Sequence, residues 1–366
     1  MTHWRYAQGA RAATAAGLAL LVGCGGSGPE GPSPLPTTAP TTPEIAEIAP
    51  LVGAARASGR WVGSAVQANL LSADAVYAGT FARHFDYLTA EWEMKWDPTE
   101  PTPGVFDFSL GDQIVAFAEA NGARVKGHAL LWHQATPSWV ESLSSAELQI
   151  AVDAHIRIVA AHYAGRVVAW DVVNEAIADE GGVLRDSLFL RGLGPDYIAS
   201  AFRVAREADP QALLFYNDYN TEGMGTKANA AYELVKGLVE QGVPIDGVGL
   251  QMHVSARFPP RVEDVAANMR RLADLGLLVN ISEMDVRIRE LPGDSATRFA
   301  AQGAIYRDLV GVCVAEPACH AVTFWGFTDA HSWVDGTFGA DDPLLFDEAY
   351  QPKPAFSGVE DAFLRR

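Results

Sequence analysis

From Trp61 onward, short runs rich in β-branched and aromatic residues alternate with stretches whose apolar residues recur every three or four positions. The first pattern predicts buried strands and the second amphipathic helices. The strand candidates are WVGSAVQ from Trp61, FDYLTAE from Phe85, ARVKGHALLWH from Ala123, VVAWDVVNE from Val167, LLFYNDY from Leu213, GVGLQMHV from Gly247, LLVNISEMDV from Leu277 and AVTFWGFTD from Ala321, eight in all. Between the third and fourth lies SSAELQIAVDAHIRIVAAHYAG, where Ser144 and Glu147 have capping-box spacing. Leu148, Val152, Ile156 and Val159 form one apolar stripe of this helix, and Gly165 ends it. VEDVAANMRRLADLG repeats the pattern with Val265, Met269, Leu272 and Leu275 before Gly276. Regular alternation of strands and helices implies a parallel sheet, either open and doubly wound or closed into a barrel. Polar residues close nearly every strand candidate, whereas an open sheet concentrates them at one switch point. No G-x-G-x-x-G follows the first strand and no G-x-x-x-x-G-K-[ST] occurs, so no nucleotide cofactor is implied. The expectation is an α/β chain with one (β/α)8 TIM barrel.

Two of these strands deliver glutamates. VVAWDVVNEA ends in Asn174 and Glu175, and LLVNISEMDV contains Glu283 and Asp285. The fourth and seventh strands of a closed barrel face each other across its mouth, so distant carboxylates become neighbours. Retaining hydrolysis of a glycosidic bond needs such a pair roughly 5–5.5 Å apart, one protonating the leaving oxygen and one attacking the anomeric carbon. Glu283 is the expected nucleophile: His253 ends the adjacent sixth strand and can hydrogen-bond an ionised carboxylate, with Asp285 orienting the imidazole. Glu175 is the expected acid/base, with Trp170 and Val173 supplying apolar surroundings that keep a carboxylic acid protonated.

The 366 residues carry a formal net charge of -18. No cluster of Lys and Arg is available to neutralise phosphates, which argues against a nucleic-acid partner. A neutral substrate is the easier partner for an acidic surface, although acidity also serves solubility alone. Arg5 and Arg11 precede an apolar run over 12–23 that is too short to span a bilayer and reads as a secretory signal over residues 1–23. That run closes on LVGC, which resembles the lipobox of bacterial lipoproteins with Cys24 as the lipidated residue; the alternative is an ordinary signal with a chance cysteine. Residues 24–50, rich in Gly, Pro, Ser and Thr, read as a tether, and residues 51–366 as the catalytic domain. The resulting expectation is an exported protein on the bacterial cell envelope, at the outer membrane if the cell is Gram-negative because Gly25 is not aspartate, or else extracellular. Its membrane association would run only through the lipid. Cys313 and Cys319 remain as a pair, for which export makes a disulfide the default. They lack histidines in zinc spacing, and no metal is expected. The default oligomeric state is a monomer.

Seven segments occur in order: EMKWDPTEPTPGVFDF, GHALLWH, WDVVNEA, GLQMH, ISEMDV, TFWGFTDAHSW and LLFDEAYQPKPA. Together they resemble a glycoside hydrolase family 10 endo-β-1,4-xylanase over about residues 62–356. The resemblance implies a retaining barrel enzyme acting on xylan and xylo-oligosaccharides, with Glu175 as acid/base and Glu283 as nucleophile. It further implies that Lys95, His128 and Asn174 bind hydroxyls of the reacting sugar, Asn174 the 2-hydroxyl. Gln251 and His253 would support the nucleophile, Asp171 would buffer the acid/base network, and Glu91 would lie in the subsite on the non-reducing side. Trp132, Trp325 and Trp333 would wall the cleft. His128 and His133 would share one barrel face if the run is extended, either as a zinc pair or, for His133, as a buried hydrogen-bonded histidine. Trp139 reads as packing.

Two positions depart from the family's pattern. Trp92 stands where the family has an asparagine, and Ala135 where it often has a glutamine, both in the second subsite on the non-reducing side. One residue has grown and the other shrunk, which suggests a subsite that trades hydrogen bonds for an aromatic contact; otherwise Trp92 turns away and packs on the barrel. The rival readings are a related β-glycanase or an enzyme that trims xylo-oligosaccharides, and, in a different class, a surface lipoprotein that binds glycans without cutting them. A binder would have no use for Glu175 and Glu283 together with Asn174 and His253.

Overall fold

The computed structural model describes residues 50–365; the signal, the tether and Cys24 lie outside the described residues. All strand pairings in the sheet are parallel. Strands β1 (Trp61–Val66), β2 (Tyr87–Ala90), β3 (Arg124–Trp132), β4 (Val167–Asn174), β5 (Leu213–Asp218) and β6 (Gly247–Leu250) pair in chain order. A three-residue strand, β7 (His253–Ser255), follows, then β8 (Leu278–Arg287) and β9 (Cys319–Phe324). β6 pairs with β8, β8 with β9, and β9 with β1, which closes a ring of eight strand positions. Helices lie between the strands, so the architecture is the (β/α)8 barrel.

The sixth position differs from its sequence expectation. GVGLQMHV is not one strand: Gln251 and Met252 break it, and the second piece, β7, pairs only with β8, His253 opposite Asp285. Met252 sits at φ 66, a left-handed conformation uncommon outside glycine. Its N–H donates to the buried Glu222 Oε1 at 2.9 Å, so the break has a dedicated acceptor.

The helix Ser145–His162 carries the expected capping box between Ser144 and Glu147, and Leu148, Val152, Ile156 and Val159 are all buried. Burying each such side chain contributes roughly 1.5–3 kcal/mol, enough for this stripe to fix the helix on the barrel. Gly165, at φ 77, turns the chain toward β4. Cys313 and Cys319 form a disulfide with Cα atoms 5.2 Å apart, joining the end of helix Ser295–Ala315 to the start of β9. Arg60 reinforces this corner by donating to the carbonyls of Val314 and Glu316, each at 3.0 Å.

Candidate active site

The two carboxyl groups reach the mouth of the barrel in different ways. Glu175 is the first residue after β4, at φ 59, with its N–H donating to the Asn217 carbonyl at 2.8 Å. That left-handed turn stops the strand and holds the side chain over the mouth, a sparsely populated backbone state of the kind found at active sites. Glu283 lies inside β8, which runs on to Arg287. Both side chains are buried.

A chain of amides connects the two glutamates. Asn217 Nδ2 donates to Glu283 Oε1 at 2.6 Å and to Asn174 Oδ1 at 2.9 Å. Gln251 Nε2 donates to the same Asn174 oxygen at 3.2 Å and to Glu175 Oε1 at 3.3 Å. Asn217 is held from below by Ser282 Oγ, which donates to its Oδ1 at 2.6 Å. Gly249 leaves the room: a Cβ there would stand 2.1 Å from Asn217 Oδ1.

On the Glu283 side, His253 lies between two carboxylates, its Nε2 3.2 Å from Glu283 Oε2 and its Nδ1 2.6 Å from Asp285 Oδ2. Burial works against a charged imidazole, but the charge and hydrogen bond of Asp285, with those of Glu283, raise its pKa to about 10. Burial likewise works against an ionised Glu283, yet the His253 hydrogen bond and nearby positive charges, Lys126 among them, hold it down to about 2. Lys126 Nζ pairs with Asp171 Oδ2 at 2.8 Å, and the same oxygen lies 2.9 Å from His128 Nδ1. Burial lowers the His128 pKa against the pull of Asp171. One oxygen each of Asp171 and Glu283 and a His128 nitrogen lie within 4.8 Å of one another. The Lys126 ammonium already occupies Asp171 there, so this donor set suits a hydrogen-bond network and does not fit a metal ion.

Glu175 is pushed the other way, up to about 7, first by burial and next by the charge of Asp218; hydrogen bonds from Trp132 and Gln251 oppose the rise. Trp132 Nε1 donates to Glu175 Oε2 at 2.8 Å. Asp218 is itself buried, paired with Lys227 Nζ at 3.0 Å and accepting from the Ile177 N–H at 3.2 Å. The two carboxyl groups therefore differ in protonation near neutral pH, Glu283 an anion and Glu175 still partly protonated.

Lys95 is buried, its Nζ 4.4 Å from the Trp132 ring, 5.2 Å from Trp92 and 5.7 Å from Trp325. Burial lowers its pKa, opposed by the surrounding Glu283, Glu91, Glu175 and Glu93. The Trp92 ring thus lies beside Lys95, while Ala135 is buried. Glu91 Oε2 accepts from Gln67 Nε2 at 3.0 Å. Trp333 donates its Nε1–H to Asp285 Oδ2 at 2.8 Å, and its ring meets His253 at 4.9 Å. Trp139 packs edge-on against Trp96 and donates to the Glu100 carbonyl, away from this cluster.

The structure thus brings Asn174, Gln251, His253, Asp285, His128, Lys95, Trp132, Trp325 and Trp333 together around the two glutamates, and it corrects four of the sequence expectations. The Gln251 side chain reaches Glu175 rather than the nucleophile; only its carbonyl serves Glu283, accepting that residue's N–H at 3.0 Å. Asp171 belongs to the Glu283 side, through Lys126 and His128, and not to the acid/base. Trp170 packs on Gly127 and Tyr163, so burial and Asp218, not that ring, raise Glu175. His133 is half-buried with Nδ1 lacking a hydrogen-bond partner among the described residues, and a register shift between His128 and Leu131 breaks the alternation that would have aligned the two histidines. Asn217, Asp218 and Lys126 were missed, although the polar end of LLFYNDY was a visible signal for the first two.

Residues 51–362 match the family model described as glycosyl hydrolase family 10. Endo-1,4-beta-xylanase B of Thermotoga neapolitana is 42% identical over 288 residues, spanning 78% of this chain and 82% of that protein. Endo-1,4-beta-xylanase D of Talaromyces funiculosus is 40% identical over 310 residues, 84% of this chain and 75% of its own. The crystal structure of xylanase 10B from Thermotoga petrophila RKU-1 in complex with xylobiose superposes with a TM-score of 0.83 at 39% identity, covering 87% of this chain and 98% of that one.

Proposed function

The chain belongs to glycosyl hydrolase family 10, and from that premise we propose how its own residues divide the work of a retaining endo-1,4-β-xylanase. It hydrolyses β-1,4-xylosidic bonds of xylan. The observation that carries the division of roles is the opposite displacement of two buried carboxyl groups in one hydrogen-bond chain, Glu283 at about 2 and Glu175 at about 7.

Glu283, anionic at working pH, attacks the anomeric carbon; as that C–O bond forms, the glycosidic C–O bond breaks and the leaving oxygen takes the Glu175 proton. Glu175, now a carboxylate, removes a proton from water, whose oxygen displaces Glu283 and restores both groups. His253, held by Asp285, keeps the nucleophile ionised between turnovers. Asn174 serves the 2-hydroxyl of the reacting sugar, with Asn217 and Gln251 fixing its amide. Lys95 and His128 bind the other hydroxyls of that sugar, and Trp132, Trp325 and Trp333 offer flat apolar faces to its ring. Glu91 and Trp92 form the next subsite on the non-reducing side, where an aromatic contact from Trp92 stands in for hydrogen bonds and Ala135 gives room.

Every group named comes from one chain, so this division of roles calls on no residue of a second subunit. The protein is exported and tethered to the bacterial envelope by lipid on Cys24, a reading supported by the LVGC sequence and the Pro/Thr-rich segment after it. Loss of radiolabelled fatty-acid incorporation in Cys24→Ala tests the anchor, and retained incorporation refutes it.

The activity is tested by time-resolved product analysis with glucuronoxylan, xylohexaose and mixed-linkage β-glucan. Early internal cleavage of xylan supports the reading; activity confined to glucan or to short oligosaccharides refutes it. Trp92→Asn should alter the product distribution from xylohexaose and the affinity for short xylo-oligosaccharides, and an unchanged pattern ends the subsite reading.

A further inference from the structure

A cation without a counterion stands one layer above the nucleophile. Glu283, Asp285 and Arg287 alternate along β8 and therefore line the same face of that strand. The lower two are engaged with His253, and Asp285 also accepts from Trp333. Above them, the Trp333 ring meets Phe338 at 5.7 Å, and the Arg287 guanidinium lies over the Phe338 ring at 3.8 Å. An unbroken set of contacts thus leads from the reacting carboxylate, through His253 and Trp333, to Arg287 at the rim.

Among the described residues Arg287 has no ion-pair partner, and its buried Nε has no hydrogen-bond partner. Two other arginines beyond the strand ends have their guanidinium donors engaged: Arg185 with Asp179, and Arg289 with the Phe338 carbonyl at 2.7 Å. The last contact pins the segment that carries Phe338, so the ring beneath Arg287 is held in place. A guanidinium stacked on an aromatic face keeps its planar edge free, and that edge matches a carboxylate through two parallel N–H···O bonds.

We propose that Arg287, seated on Phe338, is a binding site for the carboxylate of uronic-acid branches on xylan, making acid-decorated xylan a preferred substrate. The proposal rests on the xylanase reading above and deepens it. The neutral backbone gives an arginine at the rim nothing ionic to meet, whereas a carboxylate on a branch borne by a sugar next to the reacting one, whose own hydroxyls are all held, supplies the missing charge. Arg287 touches neither glutamate, so its contribution is to substrate choice rather than to bond breaking.

The test uses the full chain and three substrates: glucuronoxylan, the same polymer after its carboxyl groups have been reduced to alcohols, and unsubstituted xylohexaose. Wild-type protein should show a kcat/KM about tenfold higher on the native polymer than on the reduced one, the factor expected for one charge-assisted contact. In Arg287→Met the ratio between the two polymers should fall to about one, and the wild-type preference should weaken with added salt. Arg287→Gln, uncharged but still polar, gives the same comparison if the Met variant does not fold by its melting curve. Equal rates on the two polymers with wild-type protein, or a variant that lowers both in proportion, would overturn the proposal. Failure of the wild-type protein to cut xylohexaose would count against the xylanase reading instead.

Discussion

Replacing Trp132 by Phe should shift the alkaline limb of the pH–rate profile upward. Glu175 must carry a proton to protonate the leaving oxygen, so activity falls as pH rises through its pKa of about 7. The indole N–H can only donate, and its 2.8 Å bond to Glu175 Oε2 therefore favours the carboxylate and lowers that pKa. A hydrogen bond to a charged group contributes ~1.5–3 kcal/mol net, and the half-exposed position of Trp132 argues for the low end. At about 1.4 kcal/mol per pKa unit this is about one unit. Phe keeps a ring over Lys95 and Glu175, which limits entry of water, the one effect that would act in the opposite direction. The assay is kcat/KM for xylotetraose across the pH range, because this ratio reports the free enzyme's ionisations. KM should rise as well, since the indole also faces sugar. An alkaline limb that stays put or moves down would refute the reasoning, showing that hydration rather than this bond sets the proton affinity of Glu175.

Asp218→Asn should move the same limb downward, because the Asp218 charge is the second cause, after burial, of the raised Glu175 pKa; the same pH profile checks it. His253→Asn should move the acid limb upward, since Glu283 is held near 2 by the His253 hydrogen bond and charge, and the loss should grow as pH falls; a uniform loss across the range would contradict it. Replacing Cys313 and Cys319 by alanine should cost about 2 kcal/mol of stability, because the bridge spans a separation of 6 residues and closes only a short loop, read as a lower denaturation midpoint with kcat unchanged.

The strand pattern made the barrel legible because inward residues are apolar enough to stand out and polar residues gather where strands end. Glu175, Glu283, His253 and Asp285 were legible for the same reason, as the last two face each other in register on adjacent strands. Lateral partners were harder to read. Whether Gln251 serves Glu175 or Glu283 depends on the break at Met252, where a left-handed residue turns the chain, and no hydrophobic alternation encodes that. Asp171 was assigned to the wrong carboxylate because its partners, Lys126 and His128, sit on β3, and their register with β4 shifts at two points. Arg287 gave no signal at all: an arginine closing a strand looks like any solvated cation until its missing partner is noticed.

The enclosure of Lys95 by the rings of Trp92, Trp132 and Trp325 has an optical consequence. Three of the protein's nine tryptophans share one ammonium. A sugar that draws the ammonium toward its hydroxyls changes the local field on all three indoles together. Occupancy of the cleft should therefore register in the intrinsic emission of the unlabelled protein, giving a direct optical readout of ligand binding even in variants too slow to turn over.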